Sequence, residues 1–152
     1  MTHGDKSAII LMLQNMPEFK PSEVVVAEEV LDDYLRDPVR SGYNVFVAEI
    51  GSSVVGYICY GPTPLTESTW DIYWLAVTPD QQSQGIGKSL LVIAEENIKE
   101  SKGTIVVVET SSKTEYEASR HFYRAQGYEM LCSIADFYAP GDNKLIFLKR
   151  LN

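Results

Sequence analysis

Apolar and polar positions change their spacing several times along the chain, and the changes divide it into elements. Residues 5–15 carry Ile9, Ile10, Met12 and Leu13, a spacing that predicts a short helix stopped near Pro17. Pro21-Ser22-Glu23 opens a second helix to about Arg36, with Val26, Val30, Leu31, Tyr34 and Leu35 as its apolar positions and Pro38 beyond its end. Residues 44–50 and 53–60 predict strands joined by a turn at Gly51-Ser52, hence a hairpin. A Pro- and Thr-containing loop, 61–68, leads into residues 70–77, where Trp70, Ile72, Tyr73, Trp74, Leu75 and Val77 predict a buried strand. Thr78-Pro79-Asp80 breaks it. After a polar run at 81–84 and Gly85-Ile86-Gly87, the positions Ile86, Leu90, Leu91, Ile93, Ala94 and Ile98 fit one face of a helix to about Ser101. Residues 104–110, TIVVVET, predict another buried strand, and a strand, helix and strand in that order predict a right-handed crossover with the two strands parallel. A fourth helix, 115–126, ends at Gly127, and residues 128–136 and 144–149 predict two antiparallel strands around a loop at 137–142.

The stretch from Trp70 to Ser101 holds the clearest chemistry. The first turn of a helix leaves backbone N–H groups unpaired and carries the positive end of the helix dipole, so an anion can sit there. Glycines at 85 and 87 clear side chains from its approach, and Lys88 adds positive charge. Two phosphate motifs fail on the same letters. A P-loop requires glycine where Gln82 stands, and a dinucleotide fingerprint requires glycine where Leu90 stands.

Composition narrows the partners. With 13 Lys+Arg against 21 Asp+Glu in 152 residues, the net charge is -8, and no basic cluster offers itself to nucleic acid. An acidic surface suits a cationic acceptor, or solubility alone. The length fits one domain, 1–152, able to bury a sizeable core. Cys59 and Cys132 lack metal-ligand spacing and are expected as reduced core residues of a cytoplasmic protein. No metal site is expected. No apolar run approaches the roughly 20 residues a membrane span needs, and the N-terminus lacks the form of a signal peptide.

Gln82-Ser83-Gln84-Gly85-Ile86-Gly87, between a strand and a helix, resembles the acetyl-coenzyme A pyrophosphate loop of the GCN5-related N-acetyltransferases (GNAT). A second stretch, Ala118 to Tyr128, is similar to that family's pattern of an alanine, an aromatic-Tyr pair (Phe122-Tyr123) and a Gly-aromatic pair (Gly127-Tyr128). The resemblance covers residue 5 to the end. It implies an α/β fold with a mixed sheet of six or seven strands flanked by about four helices. Relatives usually begin with a strand. Here Met1 to Asp5 is too short and polar for one, so that strand is expected to be missing or supplied upstream. The segment between Thr110 and Tyr116 is about two residues longer than is common in relatives.

The resemblance implies transfer of an acetyl group from acetyl-coenzyme A to an amine. Leu75, Ala76 and Val77 would meet the pantetheine arm, and one of their N–H groups would stabilise the thioester oxygen. Gln82, Ser83, Gln84, Gly85, Ile86, Gly87 and Lys88 would hold the diphosphate. Tyr116 stands where relatives often carry a cofactor-contacting Asn, with Ser119 and Tyr123 following on the same helix. An alkyl amine has a pKa of about 10 and must lose a proton before attack. Asp71 is the first candidate base, expected to share a face with Tyr73 and Leu75; Glu109 is the second, or it pairs with a lysine. Tyr123 is the candidate donor to the departing thiolate. The acceptor, a small-molecule or peptide amine, would meet Tyr34, Thr66, Glu67, Trp70, Tyr73, Phe137 and Tyr138. A non-catalytic acyl-coenzyme A-binding or partner-binding module on the same fold is the alternative, and a homodimer is left open.

Overall fold

A computed structural model describes residues 1–152. Helix α1, His3–Gln14, is held at its start by Asp5, whose carboxylate accepts from the Thr2 N–H at 2.6 Å. Helix α2, Pro21–Arg36, begins with proline at its first position, where no N–H is needed, and Glu23 accepts from the Lys20 N–H at 2.8 Å. A single turn, α3 (Pro38–Ser41), leads to the sheet. Its strands are β1 (Asn44–Ile50), β2 (Ser53–Pro62), β3 (Thr69–Val77), β4 (Ile105–Ser111), β5 (Glu129–Ala139) and β6 (Asp142–Arg150). Helix α4, Ile86–Glu100, crosses from β3 to β4, and α5, Glu117–Ala125, precedes β5.

The six strands lie in the order β1-β2-β3-β4-β6-β5, antiparallel throughout except for the β3–β4 pair. Each face buries its own core. Ile58, Tyr60, Ile72, Val106 and Phe147 meet Leu91, Ala94 and Ile98 of α4, whereas Tyr57, Cys59 and Ala76 meet Ile9, Leu13, Ala27 and Leu31 of α1 and α2. Covered on both faces, β2 is apolar nearly throughout rather than alternating.

Two irregularities position the site. The register between β2 and β3 passes from Cys59↔Trp74 to Tyr60↔Ile72, so Tyr73 is a bulged extra residue. Ile72 and Leu75, three apart, consequently pack into the same core. The expected common face of Asp71, Tyr73 and Leu75 is thereby corrected: Leu75 turns toward α4. The second irregularity is that β3 pairs with β4 only over Thr69–Ile72 and Ile105–Val108. Beyond Ile72 the strands part, and the edge of β3 from Tyr73 to Val77 has no strand beside it.

Several boundaries differ from expectation. Strand β5 runs on to Ala139, so Phe137 and Tyr138 lie in a strand and the turn shrinks to Pro140-Gly141, with Ala139 paired to Asp142. A 3-10 turn, Thr114–Tyr116, replaces the start of the fourth predicted helix. Cys132 is exposed on β5, not in the core; Cys59 is buried. No helix is long and apolar enough to cross a membrane.

Candidate functional site

The parting of β3 and β4 opens two cavities that meet. A groove of about 450 Å³ runs from the end of β3 past the start of α4 to α5. A pocket of about 170 Å³ lies between Ile72–Leu75 of β3 and Val108–Ser111 of β4. Phe19, Leu75, Tyr116, Ser119 and Tyr123 line both, and so ring the opening between them.

The groove ends at a helix start without a cap. Gln82 donates its Nε2 to the Val77 carbonyl at 3.0 Å, and Gln84 donates to the Asp80 carbonyl at 3.3 Å, which braces the loop back onto the strand end. Gly85, with φ +84°, stands at the cap position and offers no side-chain acceptor. The N–H groups of Ile86, Gly87 and Lys88 accordingly find no acceptor within the protein, and no acidic residue occupies the first turn. A helix start with unpaired N–H groups and no acidic side chain can receive an anion. Leu75, Ala76, Val77, Gln82, Ser83, Gly85, Gly87, Lys88, Tyr116, Ser119 and Tyr123 all line the groove. Gln84 and Ile86 do not: Gln84 is spent on its own loop, and the Ile86 side chain packs into the α4 core, leaving only its N–H available.

Tyr123 stands at the opening, 6% exposed, its ring set edge-on between Phe122 and Tyr128 at centroid distances of 5.3 and 5.4 Å. Its hydroxyl has no hydrogen-bond partner in the protein. Burial pushes the phenol well above its ordinary value, so it stays protonated and able to donate.

The pocket is acidic and aromatic. Asp71 accepts from the Thr63 hydroxyl at 2.6 Å; burial raises its pKa, the Thr63 bond opposes that rise, and the charge of Glu109 adds to it. Asp71 lies beside the pocket rather than in its wall. Glu109 is in the wall and is paired with Lys144 at 2.6 Å. Burial, with the nearby charge of Asp71, pushes the Tyr73 phenol up to about 12. Tyr138 is raised by burial and by Glu109, Asp142 and Glu23. Asp142, 2% exposed, accepts from the Ser111 hydroxyl and lies 3.7 Å from the Lys113 ammonium.

Of the expected acceptor residues, Tyr73 and Tyr138 line the pocket and five do not. Trp70 packs against Tyr60 and beneath Gly103, where β3 is still paired with β4 and the pocket has not yet opened. Tyr34 packs into the core under α1 and α2. Thr66 donates to the Thr63 carbonyl at 2.8 Å and so stiffens its own loop, beside an exposed Glu67. Phe137 is exposed, with the Lys144 ammonium 3.8 Å from its ring centre. Phe19, Glu23, Lys113 and Asp142 were not expected here. Glu23 comes from the first turn of α2 and Phe19 from the α1–α2 connection, whose only sequence signal is the pair of prolines, Pro17 and Pro21, around it.

Comparison with known proteins adds to this geometry. A family model described as an acetyltransferase (GNAT) domain matches residues 41–130. No curated protein matches the chain. A structure from Desulfovibrio desulfuricans assigned to the GNAT family of acetyltransferases is 33% identical, covering 97% of this chain and 93% of that one, with a TM-score of 0.94. A ribosomal-protein-alanine N-acetyltransferase from Brucella melitensis is 24% identical over 99% of this chain and 97% of that one, with a TM-score of 0.80. The PaiA N-acetyltransferase of Thermoplasma acidophilum, solved with coenzyme A, is 16% identical over 99% and 96%, with a TM-score of 0.77.

Proposed function

The chain belongs to the GNAT acetyltransferases, and on that footing we propose that it transfers the acetyl group of acetyl-coenzyme A to a primary amine by direct attack. The observation that carries the reading is the continuous path from the uncapped start of α4, along the unpaired edge of β3, to the unpartnered hydroxyl of Tyr123. Structural neighbours solved with coenzyme A support the choice of donor. The N–H groups of Ile86, Gly87 and Lys88 hold the diphosphate, and the free edge of β3 receives the amide groups of the pantetheine arm.

Each catalytic step then falls to a residue at the opening or beside it. Asp71 takes the proton of the attacking amine, directly or through a water. Burial raises its affinity for that proton, whereas Glu109 is already engaged by Lys144. As the amine nitrogen bonds to the carbonyl carbon, a backbone N–H between Leu75 and Val77 stabilises the oxygen. When the carbon–sulfur bond breaks, Tyr123 donates its proton to the thiolate. The acceptor amine enters through the pocket bounded by Tyr73, Tyr138 and Glu109.

The position of Asp71 outside the pocket wall favours a second reading, a module that binds acyl-coenzyme A without turning it over. A panel of amines assayed for release of free thiol separates the two. Turnover with at least one amine, and its loss in Tyr123→Phe, supports the enzyme. Tight coenzyme A binding with no turnover across the panel supports the module.

A further inference from the structure

We propose that Tyr116 roofs the opening between groove and pocket and so limits the length of the acyl group the chain accepts, an inference that rests on the acyl-coenzyme A reading above. Of the five residues that ring the opening, Leu75 comes from β3, Ser119 and Tyr123 come from α5, and Phe19 and Tyr116 close the remaining side. The Tyr116 phenol donates to the Glu18 carbonyl at 2.7 Å and lies 3.4 Å from Glu23 Oε1. No other hydrogen bond or ion pair joins residues 1–43 to residues 78–152. The clasp therefore ties the α1–α2 connection to the entrance of α5, directly across the opening.

Both of its ends are fixed. Glu23 is held by the Lys20 N–H at 2.8 Å. On the other side Arg120 donates to the carbonyls of Ser111 and Lys113 at 2.9 and 2.7 Å, and the Tyr116 N–H donates to Lys113 at 3.1 Å, so the turn carrying the tyrosine cannot swing freely. Burial and the neighbouring Glu23 carboxylate keep the phenol protonated, hence a donor, at every pH the protein would meet. A thioester whose sulfur lies by Tyr123 directs its acyl chain into this ring. A site that cannot widen discriminates by about 10–200-fold per added methylene. Acetyl fits within the ring, and longer chains meet the Tyr116 and Phe19 rings.

The test uses calorimetric titration of the full chain with coenzyme A, acetyl-coenzyme A and butyryl-coenzyme A, which needs no knowledge of the acceptor. The parent should bind the first two alike and butyryl-coenzyme A at least about tenfold more weakly. Tyr116→Ala should bring butyryl-coenzyme A to within about threefold of acetyl-coenzyme A, both read relative to that variant's own affinity for coenzyme A. Tyr116→Phe keeps the ring but loses the tether, and should give an intermediate ratio. Phe19→Ala opens the same roof from its other half and should shift the ratio the same way, which covers a Tyr116→Ala chain that fails to fold. Coenzyme A binding with a butyryl-to-acetyl ratio equal to the parent's in both alanine variants overturns the roof alone. A parent that binds none of the three overturns the acyl-coenzyme A reading beneath it.

Discussion

Two neighbouring tyrosines should respond in opposite ways to loss of one oxygen atom. Tyr123 and Tyr128 are buried with ring centres 5.4 Å apart, yet only Tyr128 has a partner, donating to Glu95 Oε1 at 2.9 Å. A buried hydrogen bond to a charged group contributes about 1.5–3 kcal/mol, so Tyr128→Phe should lose about 2 kcal/mol. For a chain of this size that lowers the melting temperature by about 4–8 °C. Glu95 keeps its pair with Lys149 at 2.8 Å, so the loss is confined to one bond. Tyr123→Phe removes a hydroxyl that bonds to nothing in the protein, and its stability should stay within about 0.5 kcal/mol of the parent. Turnover should divide the other way. Loss of a proton donor costs about 10²–10⁴-fold in rate, so Tyr123→Phe should be nearly inactive and Tyr128→Phe nearly normal. Thermal unfolding and thiol release on the same preparations measure both halves. If Tyr123→Phe unfolds as early as Tyr128→Phe, or matches the parent rate across pH, Tyr123 is a structural residue and the assigned donor is wrong.

Asp71→Asn should be more stable than the parent at neutral pH. The raised folded pKa of Asp71 means that its stabilising contribution is complete below the unfolded value of about 3.9 and is lost as pH rises through the folded value, a loss an amide does not suffer. Denaturant titrations at neutral and at strongly acidic pH measure it, and a parent at least as stable as the variant at neutral pH refutes the sign. Gly87→Val should weaken coenzyme A binding by at least about tenfold, or about 1.4 kcal/mol, in calorimetry. Gly87→Ala should be tolerated, since an added Cβ meets Phe122 at an ordinary 3.5 Å. Native protein should expose one thiol to a disulfide reagent and two after unfolding, because Cys132 is exposed while burial holds the Cys59 thiol up at about 12. Two thiols titrating in the native state would contradict the burial of β2.

The letters reveal elements with a buried face and conceal those without one. Helix α2 and strand β1 have the bounds their spacing predicts, 21–36 and 44–50, since each presents a single apolar side or a short bounded run. The anion loop is equally legible, because its glycines and the absence of a capping side chain are local properties. Strand β5 is exposed along nearly its whole length, so no period marks where it ends, and Phe137 and Tyr138 pass for loop residues. The bulge at Tyr73 leaves no mark either. Apolar residues stand on both sides of it, and only the pairing with β2 shows that Leu75 has changed faces while Asp71 has not. Tyr116 is hidden for a different reason. Its partners, Glu18 and Glu23, lie more than ninety positions away, and a backbone carbonyl carries no sequence signature.

The fork between β3 and β4 leaves the sheet unfinished at its centre, and on the proposed reading the donor molecule completes it as a temporary strand. The main-chain bonds that hold that strand would reach the carrier's amides and diphosphate, which are identical before and after the acetyl group departs. Spent carrier is then gripped about as firmly as loaded carrier. Unloaded carrier would then compete with loaded carrier for the same site, and a cell rich in it would slow the protein without any dedicated regulator.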